Sequence, residues 1–211
     1  MYENALLLLN KIKNLGYDAY IVGGYPRDKY LGINSFDIDI CTNMTPDIIK
    51  QYFNVTKDNG YGSVIIDDVY EVTTYRKDIY NDSRFPKIEY VDTLDEDLMR
   101  RDFVINTLCI DHNGNYIDKL GAIKDINDKK IKTIKKSSES FKEDPLRIVR
   151  ALRFKLDLNF ELNNDIIDSI NKYGYLLNSI SKNRIEREIN KSKKKEELYK
   201  LVGEVYERKS N

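Results

Sequence analysis

"GGYPRDKYLGINSFDIDI", residues 23–40, sets two glycines and an Arg-Asp pair ahead of two aspartates that flank a single isoleucine. Residues i and i+2 of a strand share a face. Asp37 and Asp39 are therefore expected to project together, with Ile38 and Ile40 turned into the core. Like charges that close repel, so something must reward the arrangement. Mg²⁺ does, because it binds through one or two carboxylates plus substrate phosphates. Phosphate chemistry commonly uses two such ions about 4 Å apart. Glu71, in "VYEVTTYR", is the candidate for a third carboxylate on a neighbouring strand, since Val69 and Val72 mark it as strand-embedded. The Gly23-Gly24 turn leads into a helix and offers unhindered backbone N–H groups to an anion. Arg27 lies in the same turn and could hold a triphosphate.

The rest of the chain is consistent with such a site. Its 211 residues, 41% hydrophobic and 33% charged, suit one large or two small globular domains. No apolar run approaches the ~18 residues that span a bilayer. "MYENALLLLNKIKNL" reads as an amphipathic helix rather than a leader, because Glu3 sits where a basic region belongs. Cys41 and Cys109 lie in apolar strand-like runs and read as buried free thiols, which points to a reducing, cytoplasmic setting. The formal net charge is +0, but bases gather late in the chain. "KKIKTIKK" (129–136) has no acid, and "KNRIEREINKSKKK" (182–195) sets its bases against only Glu186 and Glu188. A solvated helix surface is one reading of these runs; a phosphate-binding face is the other.

The periodicity divides the chain. Residues 3–15 read as a helix, 19–24 as a buried strand ending in the glycine turn, and 26–32 as a short helix closed by Gly32. "FDIDICT" reads as a strand and "TPDIIKQYF" as a capped helix with Pro46 in its first turn. "YGSVIID" and "VYEVTTYR" are strands joined by an Asp-rich turn, and 77–90 is a polar loop. "DEDLMRRDFVINTLCI" is a helix running into a buried segment, and Asn113-Gly114 closes a hairpin. From about residue 137 helical spacing dominates. The fold class is α+β: a head over residues 1–120, then an all-helical segment over 121–211.

That second segment holds "EDPLRIVRALRF" (143–154). Asp144, Arg147, Arg150 and Arg153 recur every three residues, a polar ridge on a helix. Arginines on a largely apolar helix need acceptors. Ion pairs with acidic neighbours would satisfy them, and so would a nucleotide. An adjacent carboxylate and guanidinium can address a base edge, accepting from an exocyclic amine and donating to a ring nitrogen or carbonyl. CTP and ATP both carry that pattern.

In the order found here, these motifs resemble the polymerase β-type nucleotidyltransferases, in the branch of bacterial (class II) tRNA CCA-adding enzymes and poly(A) polymerases. "GGYPRD…FDID" resembles the family's signature. "RRDFVIN" (100–106) is similar to its RRD segment, "EDPLRIVRALRF" to its EDxxR helix, and "ISKNRIEREINK" (180–191) to the neck segment, with Asn183 where Glu is usual. The resemblance implies a head with a mixed β-sheet and a helical neck. It implies addition of C and A to the 3′ end of tRNA from CTP and ATP, with release of pyrophosphate. Two Mg²⁺ ions would be held with the NTP by Asp37 and Asp39, and Glu71 would join them as a catalytic carboxylate. Gly23, Gly24, Arg27, Arg101, Asp102 and Asn106 would contact the nucleotide. Asp144 and Arg147 would select its base, supported by Arg150 and Arg153.

The loop at 77–90 is similar to the one CCA-adding enzymes use when switching to A. Asp82, Arg84 and Pro86 are in familiar places, and Phe85 stands where His is usual. The chain ends twenty residues after Lys191, whereas family members continue into helical body and tail domains. A minimal enzyme gripping RNA through its Lys-rich neck or as a homodimer, an enzyme for another RNA, and the N-terminal part of a longer chain are the three explanations. The ending "YERKSN" reads as a natural terminus. A-only, CC-only or poly(A) addition, a transferase acting on another hydroxyl, and a non-catalytic RNA-binding module are the alternatives in function.

Overall fold

The computed structural model describes residues 1–80 and 86–207, which form two compact units. The first comprises Met1–Arg101 with Ile105–Ile123, the second Asp102–Val104 with Lys124–Asn211. The chain thus enters the second unit briefly at Asp102–Val104 before passing into it for good.

The first unit opens with α1 (Tyr2–Asn14), β1 (Ala19–Val22), α2 (Gly24–Tyr30), β2 (Asp39–Thr42) and α3 (Pro46–Tyr52). A meander of β3 (Val55–Gly60), β4 (Ser63–Ile66) and β5 (Tyr70–Thr74) follows. Then come β6 (Arg76–Ile79), β7 (Lys87–Tyr90), α4 (Leu94–Met99), β8 (Cys109–Ile110) and β9 (Tyr116–Ile117). Seven strands make one sheet in the order β3-β4-β5-β2-β1-β8-β9, mixed because β2 and β5 run parallel and their other neighbours antiparallel.

Side chains from Ile21, Ile38, Ile40, Val64 and Val72 pack with Leu8, Leu9, Ile12 and Ile49 of α1 and α3. Val22, Cys41 and Cys109 pack with Tyr75, Leu94 and Leu98 in a second cluster. Period-two alternation sends neighbouring residues of β1 and β2 into different clusters. Both cysteines are free and buried, and burial pushes the Cys109 thiol up to about 12, so neither is poised to react.

Two expectations change here. Residues 77–90 are not simply a loop: β6 and β7 pair antiparallel with Lys77 opposite Glu89. Opposite charges facing across strands stabilise such a ribbon without any apolar signal. Residues 81–85, which include Asp82, Arg84 and Phe85, lie outside the described residues. β3 has no counterpart in the reading of the sequence. It is an edge strand, exposed along nearly its whole length and with irregular register, so it shows no alternation of burial.

The second unit begins within α5 (Ala122–Asn127) and continues through β10 (Lys130–Ile131), α6 (Ser137–Glu143) and α7 (Leu146–Leu158). It ends with β11 (Glu161–Leu162), α8 (Asn164–Tyr173), α9 (Lys182–Asn190) and α10 (Lys195–Glu207). Among the described residues the unit is mainly helical, with a two-residue parallel ladder of β10 with β11 and an isolated antiparallel bridge between Phe103 and Thr133. Asn159, left-handed at φ 55°, stops α7 and turns the chain toward β11. The Asn163 side chain caps α8 by accepting from the Ile166 N–H at 3.0 Å.

Gly174, just after α8, packs against Val205 of α10. A Cβ there would sit 2.6 Å from Val205 Cγ1. Gly174→Ala should lower stability by about 1–3 kcal/mol through overpacking. The added change Val205→Ala should recover part of that loss in urea melts. Equal midpoints for wild type and Gly174→Ala would show that α10 yields freely.

Candidate active site

In the first unit the site is built around Asp39. The first residue of β2, it pairs with Val22, the last of β1, and with Glu71 of β5 on the other side. Gly23 follows Val22 with φ +86°, a conformation L side chains rarely adopt. A Cβ on Gly23 would stand 3.2 Å from Asp39 Oδ2. The glycine therefore answers both the turn and the close approach of the carboxylate.

Asp37 lies outside the ladder, exposed, in the irregular segment 33–38. The expected strand, 36–42, starts three residues late because β1 ends at Val22, the partner of Asp39, and the backbone then turns at Gly23. Arg27, on α2, is buried. Its guanidinium bonds the Asp28 carboxylate at 2.7 Å and donates to Asn106 Oδ1. Glu71 accepts from the Ser63 hydroxyl.

A cavity of about 370 Å³ opens beside these groups, lined by Asp39, Glu71, Ser63, Tyr61, Arg100 and Arg101 among others. Asp97, wholly buried on α4, organises its cationic wall. It accepts from Arg100 Nε and from Arg101 Nη2, each at 2.8 Å. Burial alone would raise the Asp97 pKa. The two guanidiniums outweigh it and hold the carboxyl below its ordinary value. Burial likewise opposes charge on Arg101, and Asp97 more than restores it. Arg101 Nε is buried and has no hydrogen-bond partner among the described residues. The guanidinium-bearing residues Arg100 and Arg101, which line the cavity with Asp39 and Glu71, suit an incoming phosphate.

Asp97 is not singled out by the sequence, and Tyr61 and Gly62, expected within the strand "YGSVIID", form the β3–β4 turn instead. Asp97 is one of four acids in "LDEDLMRRD", and nothing marks it until α4 buries it three and four residues before the arginines. Tyr61, at φ +50° between Gly60 and Gly62, both also at positive φ, was hidden by the silent edge strand.

The second unit collects the remaining residues. Asp102 bonds Arg150 at 2.6 Å, and Glu188 of α9, 3% exposed, accepts from Arg153 Nε at 2.7 Å and lies 3.5 Å from Arg150 Nη1. Burial opposes ionisation of Glu188, and Arg150 and Arg153 overcome it, leaving its pKa lowered. The "RRD" segment is thus divided, Arg100 and Arg101 in one unit and Asp102 in the other.

The arginine ridge is real on α7, but Asp144 is not part of it. Asp144 is extended (φ −143°, ψ 99°) at the end of α6. The residue before a proline is driven from helical geometry, and Pro145 follows. Arg147 is buried and donates to Ser140 Oγ at 2.9 Å and to Glu143 at 3.0 Å, while Asp144 lies 3.6 Å from Arg184. The ridge arginines therefore meet acidic neighbours, one of the two readings the sequence left open.

The donor set fits a hard cation: Asp37 and Asp39 offer only oxygen, and Asp39 faces the cavity. Among the described residues no group of three or more His, Cys, Asp or Glu is gathered as a cation site. Asp37 and Asp39 would hold Mg²⁺ together with nucleotide phosphates rather than as a closed protein cage.

A mixed sheet thus sets Asp39 between a glycine turn and a wall of arginines held by Asp97. The family model described as "Poly A polymerase head domain" matches residues 19–132, and the chain belongs to that family. It is 40% identical over 197 residues to the CCA-adding enzyme of Streptococcus pyogenes serotype M2, covering 90% of this chain and 49% of that protein. To the Streptococcus uberis CCA-adding enzyme it is 39% identical, with the same coverage.

Among solved structures, the Bacillus stearothermophilus CCA-adding enzyme in complex with CTP superposes with a TM-score of 0.88 at 34% identity, over 97% of this chain and 52% of that one. A tRNA nucleotidyltransferase complexed with a primer tRNA and an incoming ATP analogue gives 0.72 at 30% identity, over 93% and 59%. The chain spans about half the length of the relatives it matches.

Asp97→Ala should destabilise the protein by about 3–5 kcal/mol at pH 7, because it strands two buried guanidiniums. A carboxyl with a depressed folded-state pKa contributes stability above its unfolded value of about 3.9 and loses it as pH falls through the folded one. The gap between wild type and Asp97→Ala in urea melts should therefore narrow as pH falls below about 4. A gap of the same size at pH 7 and pH 2.5 would refute the electrostatic account.

Proposed function

We propose that the chain is a template-independent RNA nucleotidyltransferase that adds C and A, building CCA on the 3′ end of tRNA from CTP and ATP. The observation that carries the reading is Asp39, set between the Gly23 turn and Glu71 on a cavity that Arg100 and Arg101 also line. The relatives named above, one with CTP and one with a primer tRNA, support the substrate class.

In the reaction the RNA 3′-oxygen attacks the α-phosphate, a new P–O bond forms, and the bond to pyrophosphate breaks. Mg²⁺ bound at Asp37 and Asp39 would supply acidification of the 3′-hydroxyl and neutralise charge on the triphosphate. Gly23 packs against Asp39, and Arg27 with the Gly23-Gly24 backbone would orient the phosphates. Arg101, which lines the same cavity and whose charge Asp97 sustains, would stabilise their charge. Glu71, tied to Ser63, would hold the strand register and the negative field beside Asp39. In the second unit Asp144 and Arg147 would read the base, Arg147 held from behind by Glu143, while Asp102 and Glu188 would fix Arg150 and Arg153. The two buried thiols fit a reducing compartment such as the cytoplasm.

A tRNA lacking CCA, incubated with the protein, Mg²⁺ and each labelled NTP, should take up two C and one A in order. Uptake of A alone, C alone or an A tract would reassign the protein to a partial-activity branch. Failure with every NTP would sink the enzyme reading. Asp39→Ala should reduce turnover at least 10³-fold, the scale of losing one preorganised charge-stabilising group, with an unchanged melt. Arg147→Ala should admit UTP or GTP more than it slows C addition. Continued exclusion of both would remove Arg147 from base reading.

A further inference from the structure

The second unit carries a groove of about 520 Å³ that none of the roles above uses. Four lysines line it, Lys129, Lys130, Lys155 and Lys194, against two carboxylates, Asp128 and Glu161. Both acids are already engaged: Lys124 pairs with Asp128 and Lys130 with Glu161, each at 2.5 Å. Lys129, Lys155 and Lys194 have no ion pair or side-chain hydrogen bond among the described residues. Elsewhere Lys50, Lys77, Lys119, Lys132 and Lys135 are each matched to an acid. Three unmatched ammonium groups around one groove leave a local surplus of positive charge that the neutral whole conceals.

The stems of these lysines start from fixed backbone. Lys129 stands at φ +52°, a left-handed conformation costly for a side chain of this kind. It is pinned there by its N–H to Ile126 O (3.1 Å) and by its carbonyl, which accepts from Glu161 N (2.8 Å). Lys155 projects from α7. Lys194 donates its backbone N–H to Ser192 Oγ at 3.0 Å, and its carbonyl accepts from Leu198 N at 3.0 Å. Asn159, also left-handed, forms the far rim, and Leu156 with the buried Phe160 gives the groove an apolar side. Ammonium groups on a rigid rim beside an apolar wall match a phosphodiester chain, whose charge is regular and whose sugars are partly apolar.

We propose that this groove binds successive backbone phosphates of the RNA substrate, without reading its sequence, through Lys129, Lys155 and Lys194. The proposal takes RNA as partner from the proposed function, and its test is a binding measurement that needs no turnover.

The salt dependence of binding decides it. A fluorescent RNA hairpin with a single-stranded 3′ end is titrated with the full chain across a KCl series, by anisotropy. Removing one lysine–phosphate ion pair should flatten the plot of log affinity against log salt by about 1. The triple variant Lys129→Ala/Lys155→Ala/Lys194→Ala should flatten it by about 2–3 and weaken binding at least tenfold at 0.1 M salt. Lys11→Ala/Lys57→Ala/Lys200→Ala removes the same charge elsewhere and should leave the slope within about 1 of wild type. Equal slopes for the two variants, whether both fall or neither does, overturn the proposal. Thermal shift with inorganic pyrophosphate separates the other source of phosphate. Loss of pyrophosphate stabilisation in the groove variant with its RNA slope intact would make the ligand a free polyphosphate and the RNA assignment wrong. A wild type that binds the hairpin with the expected slope but incorporates no nucleotide would sink the enzyme reading and leave the groove standing.

Discussion

The register of one short strand governs this protein. β2 lies between β1 and β5, antiparallel to one and parallel to the other, and Asp39 is the residue at which both ladders begin to count. A slip of one residue would turn Ile40 outward and carry Asp39 into the apolar cluster beneath it. The interdigitated isoleucines and valines on the core face make that slip prohibitively costly. The chemistry on one face is thereby fixed by hydrophobic packing on the other. Gly23 belongs to the same constraint: the strand that pairs with Asp39 must turn away at once, and only a residue without a Cβ leaves room for the carboxylate.

Charge is organised by a second device, used once in each unit. A deeply buried carboxylate, Asp97 in the first and Glu188 in the second, holds two arginines. Such clusters are poor sources of net stability, because desolvation consumes most of the Coulomb gain. Their value lies in orientation. A guanidinium locked by a buried partner keeps its charge and its direction before any ligand arrives, which is the condition for stabilising charge without reorganisation.

How far the sequence revealed this depends on the physics behind each signal. The glycine turn, the alternating isoleucines, the Asn-Gly hairpin and the amphipathic helices are local patterns, and they were legible. Asp37 and Asp39 were recognisable as a pair, but where β2 starts is decided by the end of β1, and no local pattern carries that. β3 and the β6–β7 ribbon stayed hidden because exposed strands have no buried face to impose alternation. Asp144 was placed on the helical ridge by its spacing from Arg147. The effect of Pro145 on the residue before it was visible in the sequence and should have taken precedence over periodicity. Asp97 and Glu188 were out of reach, since a buried carboxylate is identified by the arginines that fold around it.

The parallel pairing of β2 with β5 has a consequence for how the chain acquires its shape. The carboxylates of Asp39 and Glu71 become neighbours only when α3 and the β3–β4 hairpin have been looped out between them. Closing a loop of that kind costs chain entropy before any contact rewards it. The antiparallel β3–β4–β5 meander, by contrast, needs only short closures. The nascent chain can build its outer strands early, while the middle of the sheet must wait for a non-local encounter. The pairing of Asp39 with Glu71 is therefore one of the last features to exist, and a partly folded molecule does not yet bring the two carboxylates together.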